Sequence, residues 1–501
     1  MNKYILAIDQ GTTSTRAIIF NEKSEIVGIA SKEIKQYYPH PGWVEQDPNE
    51  IWLSVLTVVT QALTKAKINA DQIIGIGITN QRETTIIWDK NTGDPIHNAI
   101  SWQSRQTDSI VLDLKNKGYE QLFKNKTGLV IDSYFSATKI KWILDKYNHL
   151  DQNNLMFGTI DTWIIYKFTG DIHKTDYSNA SRTMLFNIHE QKWDEEILNI
   201  LGINKNILPE VSESSSLFGE TKPYHFYGYK VPITGVLGDQ QAALFGQTCF
   251  DYKDVKNTYG TGCFLLMNTG DTPIESNHGL ITTIAWKLNG KITYALEGSV
   301  FIAGSSITWL RDGIKLITSA KDTEKIATSL ASNEGVYFVP AFVGLGAPYW
   351  DTYTRGALFG LTSKANEAHI IRATLEAICY QSMDLLNAME KDIAGKITNL
   401  KVDGGASINN FLMQFQANIL NETVIRPKIL ETTALGAAYI AGLYVDYWKS
   451  LEDIKKCWQL DKTYKPNLAA NKRNTYINNW HNAVAAARTF KPEGDKLWKK
   501  S

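Results

Sequence analysis

The chain of 501 residues is 43% hydrophobic and 21% charged, and its 52 basic residues balance its 52 acidic residues, so the formal net charge is zero. This length indicates about two to four domains of ordinary size, and the composition excludes disorder over most of the chain. The balanced charge argues against a broad nucleic-acid surface, which needs excess positive charge to meet phosphates.

The first half of the chain begins with predicted strands and one long helix. Short connections rich in Gly, Thr, Ser and Asn separate the first three strands, as in a meander. The helix is expected to begin at Pro48, with Asp47 as its cap and Glu50 completing a capping box. The predicted strands are Tyr4–Ile8, Ala17–Phe20, Glu25–Ala30, Ile73–Thr79 and Thr85–Trp88.

The second half resembles the first in texture, and strands alternate with long helices, which predicts an α/β fold. No repeat of fixed short period is present, which excludes a solenoid. The domain boundary is expected near residues 247–256, giving domains over residues 1–250 and 251–501. The predicted elements are strands at Lys256–Tyr259, Cys263–Asn268 and Asn399–Asp403 and helices near Ala303–Arg311, His369–Asn387 and Asn409–Asn421.

The cysteines and the apolar segments predict a cytoplasmic protein without a membrane partner. Cys249, Cys263, Cys379 and Cys457 are scattered and form no CxxC pair, so neither a zinc site nor a disulfide framework is indicated. The apolar run at the N-terminus is too short for a signal peptide. No segment offers the roughly 18 uninterrupted apolar residues that a membrane span needs.

The segment DQGTTSTR, from Asp9 to Arg16, joins two predicted strands and is a candidate phosphate-binding hairpin. Backbone N–H and hydroxyl groups of Thr12, Thr13 and Ser14 would surround phosphate oxygens. Arg16 would reach the outer phosphates, and Asp9 would hold Mg²⁺ through its water shell. The alternative is an ordinary β-turn, since the segment is neither a Walker P-loop nor a protein-kinase glycine-rich loop.

Two glycine-containing segments in the second half are further candidates. Gly260-Thr261-Gly262 lies at a strand edge and would clamp phosphate from the opposite side, and Gly404-Gly405 between a strand and a helix suits an adenosine platform. Each segment alone is equally compatible with a simple hairpin or a strand-to-helix turn.

Polar and aromatic residues in the first half suggest a hydroxylated substrate. Asp239 precedes a predicted helix, so it is either an N-cap or a base that takes a proton from a substrate hydroxyl. Arg82 and Glu83 are either a solvated surface pair or a fixed donor and a fixed acceptor for a polyol. Trp102 and Phe264 would cover its carbon skeleton, unless they are core residues.

Together these motifs resemble the FGGY carbohydrate kinase family over essentially the whole chain, and most closely those members that phosphorylate glycerol. The final Lys146 of the stretch that fits the family's first signature is unusual. The matching stretches are Pro41–Glu45 (PGWVE), Gly77–Thr85 (GITNQRETT), Tyr134–Lys146, Asp176–Asn187 (DYSNASRTMLFN), Asp239–Gly246 (DQQAALFG), Asn257–Phe264 (NTYGTGCF), Pro340–Asp351 (PAFVGLGAPYWD) and Gly356–Glu376.

The resemblance implies two ribonuclease H-like domains of the actin and chaperone ATPase type that face a central cleft, and ATP-dependent phosphorylation of glycerol with Mg²⁺. Asp239 would be the catalytic base and would face Mg²⁺ with Asp9 through water. Dimers or tetramers are common in the family, so a homo-oligomer is expected. The implied glycerol site is Arg82, Glu83, Trp102, Tyr134, Asp239, Gln240 and Phe264, and the implied ATP site is Thr12, Thr13, Ser14, Arg16, Thr261, Gly304, Gly405 and Asn409.

Departures from the family pattern bear on nucleotide contacts and regulation. Thr308 stands where the family often has Gln near the nucleotide, so altered ATP contacts are expected. The stretch around His225 lacks the Gly-rich inhibitor site of some bacterial members. It resembles members regulated by histidine phosphorylation, and the alternative is an unregulated surface loop.

Three other functions stay open from the sequence. They are a kinase for a longer sugar such as a pentulose, an ATP-driven binding protein like a chaperone ATPase domain, and a filament protein like actin. The pairing of Arg82 and Glu83 with Trp102 favours a small triol as the acceptor.

Overall fold

The computed structural model describes residues 2–351 and 353–490. The strands of this part are β1 (Tyr4–Gln10), β2 (Ser14–Phe20), β3 (Ile26–Glu33), β4 (Glu45–Gln46), β5 (Ile73–Asn80), β6 (Ile86–Asp89), β7 (Ala99–Ile100), β8 (Leu155–Gly158), β9 (Lys174–Asp176), β10 (Phe186–Asn187), β11 (Lys192–Trp193), β12 (Glu210–Ser212), β13 (Ser215–Glu220), β14 (Pro232–Gly238), β15 (Val255–Tyr259), β16 (Cys263–Gly270), β17 (Ile281–Leu288), β18 (Lys291–Val300), β19 (Tyr337–Val339), β20 (Ala357–Phe359), β21 (Asn399–Asp403), β22 (Thr423–Pro427) and β23 (Leu460–Tyr464).

The helices connect the strands, and several of them pack against the two large sheets. They are α1 (Pro48–Ala66), α2 (Asp108–Asn116), α3 (Glu120–Thr127), α4 (Ser136–Lys146), α5 (Ile160–Thr169), α6 (Tyr177–Ala180), α7 (Glu195–Leu201), α8 (Asp239–Gly246), α9 (Gly304–Thr308), α10 (Asp322–Ser329), α11 (Glu367–Asp392), α12 (Asn410–Leu420), α13 (Thr432–Tyr444), α14 (Leu451–Cys457) and α15 (Ala470–Thr489). No helix in the described ranges is both long enough and apolar enough to cross a membrane.

The two large sheets share one topology. The first has the order β13-β14-β5-β1-β2-β3, and the second has the order β17-β18-β16-β15-β21-β22-β23. Each sheet has three antiparallel strands (β1-β2-β3 and β15-β16-β18) followed by two strands parallel to the first of them (β5 and β14, β21 and β22). In the second sheet β17, which precedes β18 in the chain, adds an edge strand beside it. The two predicted ribonuclease H-like units are therefore present.

Parallel strands bring the candidate residues of the first half to one edge of the first sheet. Gln10 pairs with Asn80, and Asn80 pairs with Gly238, so β1, β5 and β14 end side by side. In the second sheet Thr258 pairs with Asp403, which aligns the ends of β15 and β21. Ligands of open α/β sheets bind at the carboxyl ends of the strands, which is where these segments meet.

Helices α8 and α13 form a layer between the two sheets. The core around them draws on both sheets, with Ile5 and Ala7 from β1 and with Leu266 and Ala295 from β16 and β18. The two helices approach so closely that a Cβ on Gly436 would lie 1.8 Å from the Ala242 carbonyl oxygen. Helix α13 comes from the second half of the sequence yet packs on β1, β5 and β14 of the first sheet, which the sequence did not predict.

Several local predictions are confirmed, and two need correction. The Asp47 side chain caps α1 by accepting from the Asn49 N–H, with Pro48 in the first turn. Glu50 does not complete a capping box, because its Oε1 accepts from the Lys35 N–H 3.0 Å away. Asp239 is not the N-cap of α8. The helix begins at Asp239 itself, after Gly238, whose position carries no side-chain cap.

Candidate functional site

A cavity of about 660 Å³ opens between the two sheets at the carboxyl ends of their strands. Both halves of the chain contribute to its wall. The lining residues are Thr12, Thr13, Glu33, Ile34, Gln36, Tyr38, Gln81, Arg82, Glu83, Trp102, Gln103, Tyr134, Asp239, Gln240, Thr258, Gly260, Thr261, Gly262 and Phe264.

The hairpin between β1 and β2 forms one side of this cavity. The Gly11 N–H donates to the Ser14 carbonyl oxygen at 2.9 Å, which closes a tight turn. Gln36 and Gln46 donate side-chain N–H groups to the Thr12 carbonyl oxygen from outside the hairpin. These contacts fix the hairpin, and both Thr12 and Thr13 line the cavity.

The loop between β15 and β16 lies across the cavity from that hairpin. The Gly304 N–H at the start of α9 donates to the Gly260 carbonyl oxygen at 3.0 Å, and the Ser305 N–H donates to Thr261 at 3.1 Å. A Cβ on Gly304 would lie 2.5 Å from the Gly260 oxygen, so only glycine permits this approach. The loop is thus held against the first turn of α9.

The Gly404-Gly405 segment leads from β21 towards α12. Gly404 has φ of 84°, and a Cβ there would lie 2.6 Å from the Tyr259 carbonyl oxygen. Asn409 caps α12 through the Leu412 N–H at 3.0 Å, and its amide donates to Thr323 at 3.2 Å. The strand-to-helix turn is therefore well built in its own right, and a nucleotide role for Asn409 stays a prediction.

Asp239 sits on the cavity wall at the first position of α8, with its side chain 28% exposed. Its Oδ1 lies 3.1 Å from Arg82 Nε and accepts from the Gln240 N–H at 2.7 Å. Burial raises the pKa of Asp239, and the Arg82 guanidinium opposes that rise. Among the described residues its Oδ2 has no hydrogen-bond partner, so one carboxylate oxygen is free for a ligand.

A buried network of charged side chains lies at and behind Arg82 and Glu83 in the cavity wall. Arg82 donates to both oxygens of Glu297 in β18, at 2.5 and 2.9 Å. Arg182 donates to Glu83 at 2.8 Å and to Glu297 at 3.2 Å. The two guanidiniums more than offset burial, which alone would raise the pKa of Glu297, and lower it to about 2.

This network excludes the alternative that Arg82 and Glu83 are a solvated surface pair, and their roles as donor and acceptor for a polyol stay a prediction. Both side chains are only 2% exposed, and Arg82 Nε lies 3.7 Å from Glu83 Oε1. Their strongest partners are Glu297 and Arg182, which the sequence reasoning did not select. Arg182 lies inside the matching stretch Asp176–Asn187, which was the available signal, and Glu297 had none.

Three aromatic rings wall the cavity where a carbon skeleton would lie. Trp102 meets Tyr134 edge-on at 5.5 Å between ring centroids and meets Phe264 edge-on at 6.2 Å. The Trp102 indole N–H donates to the Thr12 hydroxyl oxygen at 2.8 Å, which joins this wall to the first hairpin. Phe264 belongs to the second sheet, so the aromatic wall is completed from both halves.

Carboxylates cluster near the end of β1 outside the aromatic wall. Asp9 pairs with Arg16 across the β1–β2 ladder, and Arg16 Nη1 lies 2.7 Å from Glu431 Oε2. Burial, with smaller contributions from Glu431 and Asp239, raises the pKa of Asp9 to about 7 against the opposing effect of Arg16. The described residues form no group of three or more acidic, His or Cys side chains that could hold a metal directly, so Asp9 suits the water-mediated contact of Mg²⁺, which takes one or two carboxylates while keeping several waters.

The structure brings most of the predicted residues to one cavity. Those in its wall are Thr12, Thr13, Arg82, Glu83, Trp102, Tyr134, Asp239, Gln240, Thr261 and Phe264. Those outside the wall, at the neighbouring strand and helix ends, are Asp9, Ser14, Arg16, Gly304, Gly405 and Asn409. Thr308 is exposed at the end of α9, one turn beyond Gly304. The individual roles of all these residues stay predictions.

The structure has two ribonuclease H-like units with a cavity between their sheets, and candidate phosphate-binding loops after β1 and β15 line that cavity. This arrangement is the two-domain fold of the actin and hexokinase class, to which sugar kinases belong. The chain matches the family models for the N-terminal domain (residues 4–246) and the C-terminal domain (residues 255–444) of the FGGY family of carbohydrate kinases. The chain belongs to this family.

Named relatives agree with this assignment. A glycerol kinase of Staphylococcus epidermidis is 57% identical over 498 residues, which cover 98% of this chain and 100% of that protein. The crystal structure of Plasmodium falciparum glycerol kinase with ADP is 38% identical, with a TM-score of 0.90 over 97% of this chain and 98% of that one. Xylulose kinase of Lactobacillus acidophilus, at 24% identity, shares the fold with a TM-score of 0.86 over 97% and 98% of the two chains.

Proposed function

We propose that the protein transfers the γ-phosphoryl group of ATP to glycerol and forms glycerol 3-phosphate. The observation that carries this proposal is the position of Asp239, which lines the same cavity as the aromatic wall and the two loops. The 57% identity to a glycerol kinase supports the acceptor. The ADP-bound relative supports the nucleotide.

In this proposal Asp239 takes the proton of the attacking hydroxyl. Its raised pKa and its free Oδ2 suit a general base. Phosphoryl transfer asks the protein mainly for alignment and charge stabilisation, which Arg16 and the N–H groups of the two loops would supply. Trp102 and Phe264 would exclude water, which would otherwise compete as the nucleophile.

Asp9 and Asp239 would hold Mg²⁺ through its waters. The fit rests on the placement of the two carboxylates: Asp9 lies near the end of β1 and Asp239 directly follows β14, and the ends of these strands lie on either side of β5. A bound Mg²⁺ would neutralise charge on the phosphates and orient them. The residues around it, Arg16 above all, would contribute positive charge from the hairpin.

The test is ADP release from Mg-ATP with glycerol, dihydroxyacetone, erythritol, xylulose or no acceptor. Turnover should be highest with glycerol, and Asp239→Asn should lower it by roughly 10²–10⁴-fold because the base is lost. Highest turnover with xylulose would keep the fold and the mechanism but change the substrate. Hydrolysis that no polyol affects would place the protein among ATP-driven binding proteins.

Cellular context and regulation follow from the same proposal. We propose a cytoplasmic enzyme, where ATP is supplied, and a homo-oligomer as in related kinases. The His225 ring is half-buried and packs edge-on against Trp52 at 5.0 Å between centroids, beside the exposed Tyr224. Regulation by phosphorylation of His225 would be contradicted by the absence of phosphohistidine after incubation with a phosphotransfer system.

A further inference from the structure

Lys256 in β15 is a fully buried lysine whose ammonium touches three parts of the cavity wall. Its Nζ donates to Gln240 Oε1 at 2.5 Å, to the Thr258 hydroxyl at 2.9 Å and to the Phe264 carbonyl oxygen at 3.2 Å. Gln240, Thr258 and Phe264 all line the cavity, although Lys256 itself does not. One cation behind the wall therefore contacts three of the residues that line the cavity.

The contact with Gln240 fixes which end of that amide faces the cavity. An ammonium group can only donate, so it binds the amide oxygen and turns the NH₂ group the other way. Gln240 is nearly buried, and among the described residues its Nε2 has no acceptor. Gln240 thus presents hydrogen-bond donors, and no acceptor, to whatever binds beside Asp239.

The charge around Lys256 keeps it a donor at neutral pH. Burial lowers the pKa of Lys256 to about 8, while Asp403, Asp239 and Glu297 oppose the loss of its proton. Lys256 and its neighbours also span the two halves of the chain, since Gln240 lies in α8 and Phe264 lies in β16. These contacts consequently join α8, which carries Asp239 and Gln240, to β16, which carries Phe264.

We propose that Lys256 is a positioning residue for the polyol. It holds the Gln240 side chain so that its amide can only donate, and this part of the cavity therefore binds a substrate oxygen that accepts a hydrogen bond. This inference rests on the proposed function and deepens it. The substrate hydroxyl oxygen beside Gln240 accepts a hydrogen bond from the amide NH₂ group. Its own proton must then be donated to another group, and the neighbouring Asp239 carboxylate is the acceptor in this part of the site.

The test compares Lys256→Met with Lys401→Met in steady-state kinetics with glycerol and ATP. Lys401 pairs with Lys256 on the neighbouring strand β21, but its Nζ binds Gln247 and Thr248, which lie outside the cavity. Lys256→Met should raise the KM for glycerol about tenfold or more, because the Gln240 amide is no longer held in its orientation towards the polyol. The KM for ATP should change less than about twofold, because no nucleotide contact is altered. Lys401→Met should change neither value.

A second pair of variants keeps Lys256 intact and so does not depend on the folding of its replacement. Gln240→Glu preserves shape and the contact with Lys256 but replaces the donor with an acceptor, and Gln240→Leu removes both. Both should raise the KM for glycerol about tenfold, and adding Gln240→Leu to Lys256→Met should cost less than it costs alone, since the two residues act as a unit.

The outcomes separate this inference from the proposed function. If the wild-type protein turns over glycerol and Gln240→Glu keeps its normal KM, the amide is not a dedicated donor and the positioning role is wrong. Equal effects of Lys256→Met on the KM for glycerol and for ATP would also overturn it, because they would reflect a general structural loss. A wild-type protein without glycerol turnover would contradict the proposed function itself.

Discussion

Arg82 and Glu297 form a bidentate ion pair behind the cavity wall. The pair joins the segment after β5 of the first sheet to β18 of the second sheet. The partners are 215 positions apart in the chain, and both side chains are almost fully buried. Arg182 shares the same Glu297 carboxylate and also pairs with Glu83, so Glu297 is the anion that the two guanidiniums have in common. Removing one partner from such a group leaves uncompensated charge in the interior, which costs more than the intact pair contributes.

Replacing Glu297 with Gln should therefore destabilise the protein and weaken substrate binding together. We expect a loss of roughly 3 kcal/mol or more, seen as a fall of roughly 5 °C or more in the thermal unfolding midpoint. The KM for glycerol should rise because Arg82 loses its fixed orientation. Glu275→Gln is the control, since its pair with Lys124 is exposed and such pairs contribute about 0–1 kcal/mol. Equal midpoints for the two variants would contradict the argument.

The Tyr134 hydroxyl should matter for the substrate more than for the fold. It accepts from Arg82 Nη2 at 3.3 Å at the cavity wall, while its ring keeps its contacts with Trp102 and Phe135. Tyr134→Phe should raise the KM for glycerol roughly 2–10-fold, the value of about 0.5–1.5 kcal/mol for one hydrogen bond, and leave the unfolding midpoint nearly unchanged. Tyr147→Phe, which removes a hydroxyl bonded to His97, should leave the KM unchanged.

The local parts of the site could be predicted from the sequence, and the distant parts could not. Asp9 lies near the end of β1, Arg82 and Asp239 follow β5 and β14, and parallel pairing of those strands brings the three residues together. The partner of Arg82 comes from strand β18 far along the chain, so no local pattern pointed to Glu297. Competition between hydrogen-bond donors also explains why the predicted capping box is absent. The Glu50 carboxylate accepts from the Lys35 N–H instead of from the first turn of its own helix.

The position of α13 was equally beyond local reasoning. Its sequence is apolar throughout, which predicts a buried helix but does not say against which sheet it packs. The decisive feature is the close contact at Gly436, which is visible only once α8 is in place.

Thr308 should limit the contacts of the protein with the nucleotide. It is exposed one turn beyond Gly304, and its hydroxyl reaches only the Gly304 carbonyl oxygen at 3.4 Å. Thr308→Gln, the residue common in the family, adds a longer amide with both a donor and an acceptor. The KM for ATP should fall roughly 2–10-fold, with the glycerol KM unchanged. Thr328→Gln on the exposed face of α10 is the control, and an unaltered ATP KM in Thr308→Gln would refute the contact.

Asp161, which does not line the cavity, should make stability depend on pH. It is fully buried at the start of α5 and accepts from the hydroxyl groups of Thr159 and Thr175, each at 2.6 Å. Burial raises the pKa of Asp161 to about 7 against the effect of those two donors. A raised carboxyl pKa means that the folded protein binds the proton more tightly, so this stabilisation is present below about pH 4 and is lost as pH rises through 7.

Asp161→Asn keeps the shape and removes the titration. Relative to the wild type, the variant should gain roughly 2–3 kcal/mol between pH 5 and pH 8, at 1.36 kcal/mol per pKa unit. Urea unfolding at the two pH values measures this change, and the comparison cancels the constant loss of one hydroxyl contact. Asp171→Asn, at an exposed carboxylate close by in the chain, should show no such pH-dependent gain. A difference between variant and wild type that stays constant from pH 5 to pH 8 would mean that Asp161 is ionised in the folded protein throughout this range, with its two threonine donors outweighing the cost of burial.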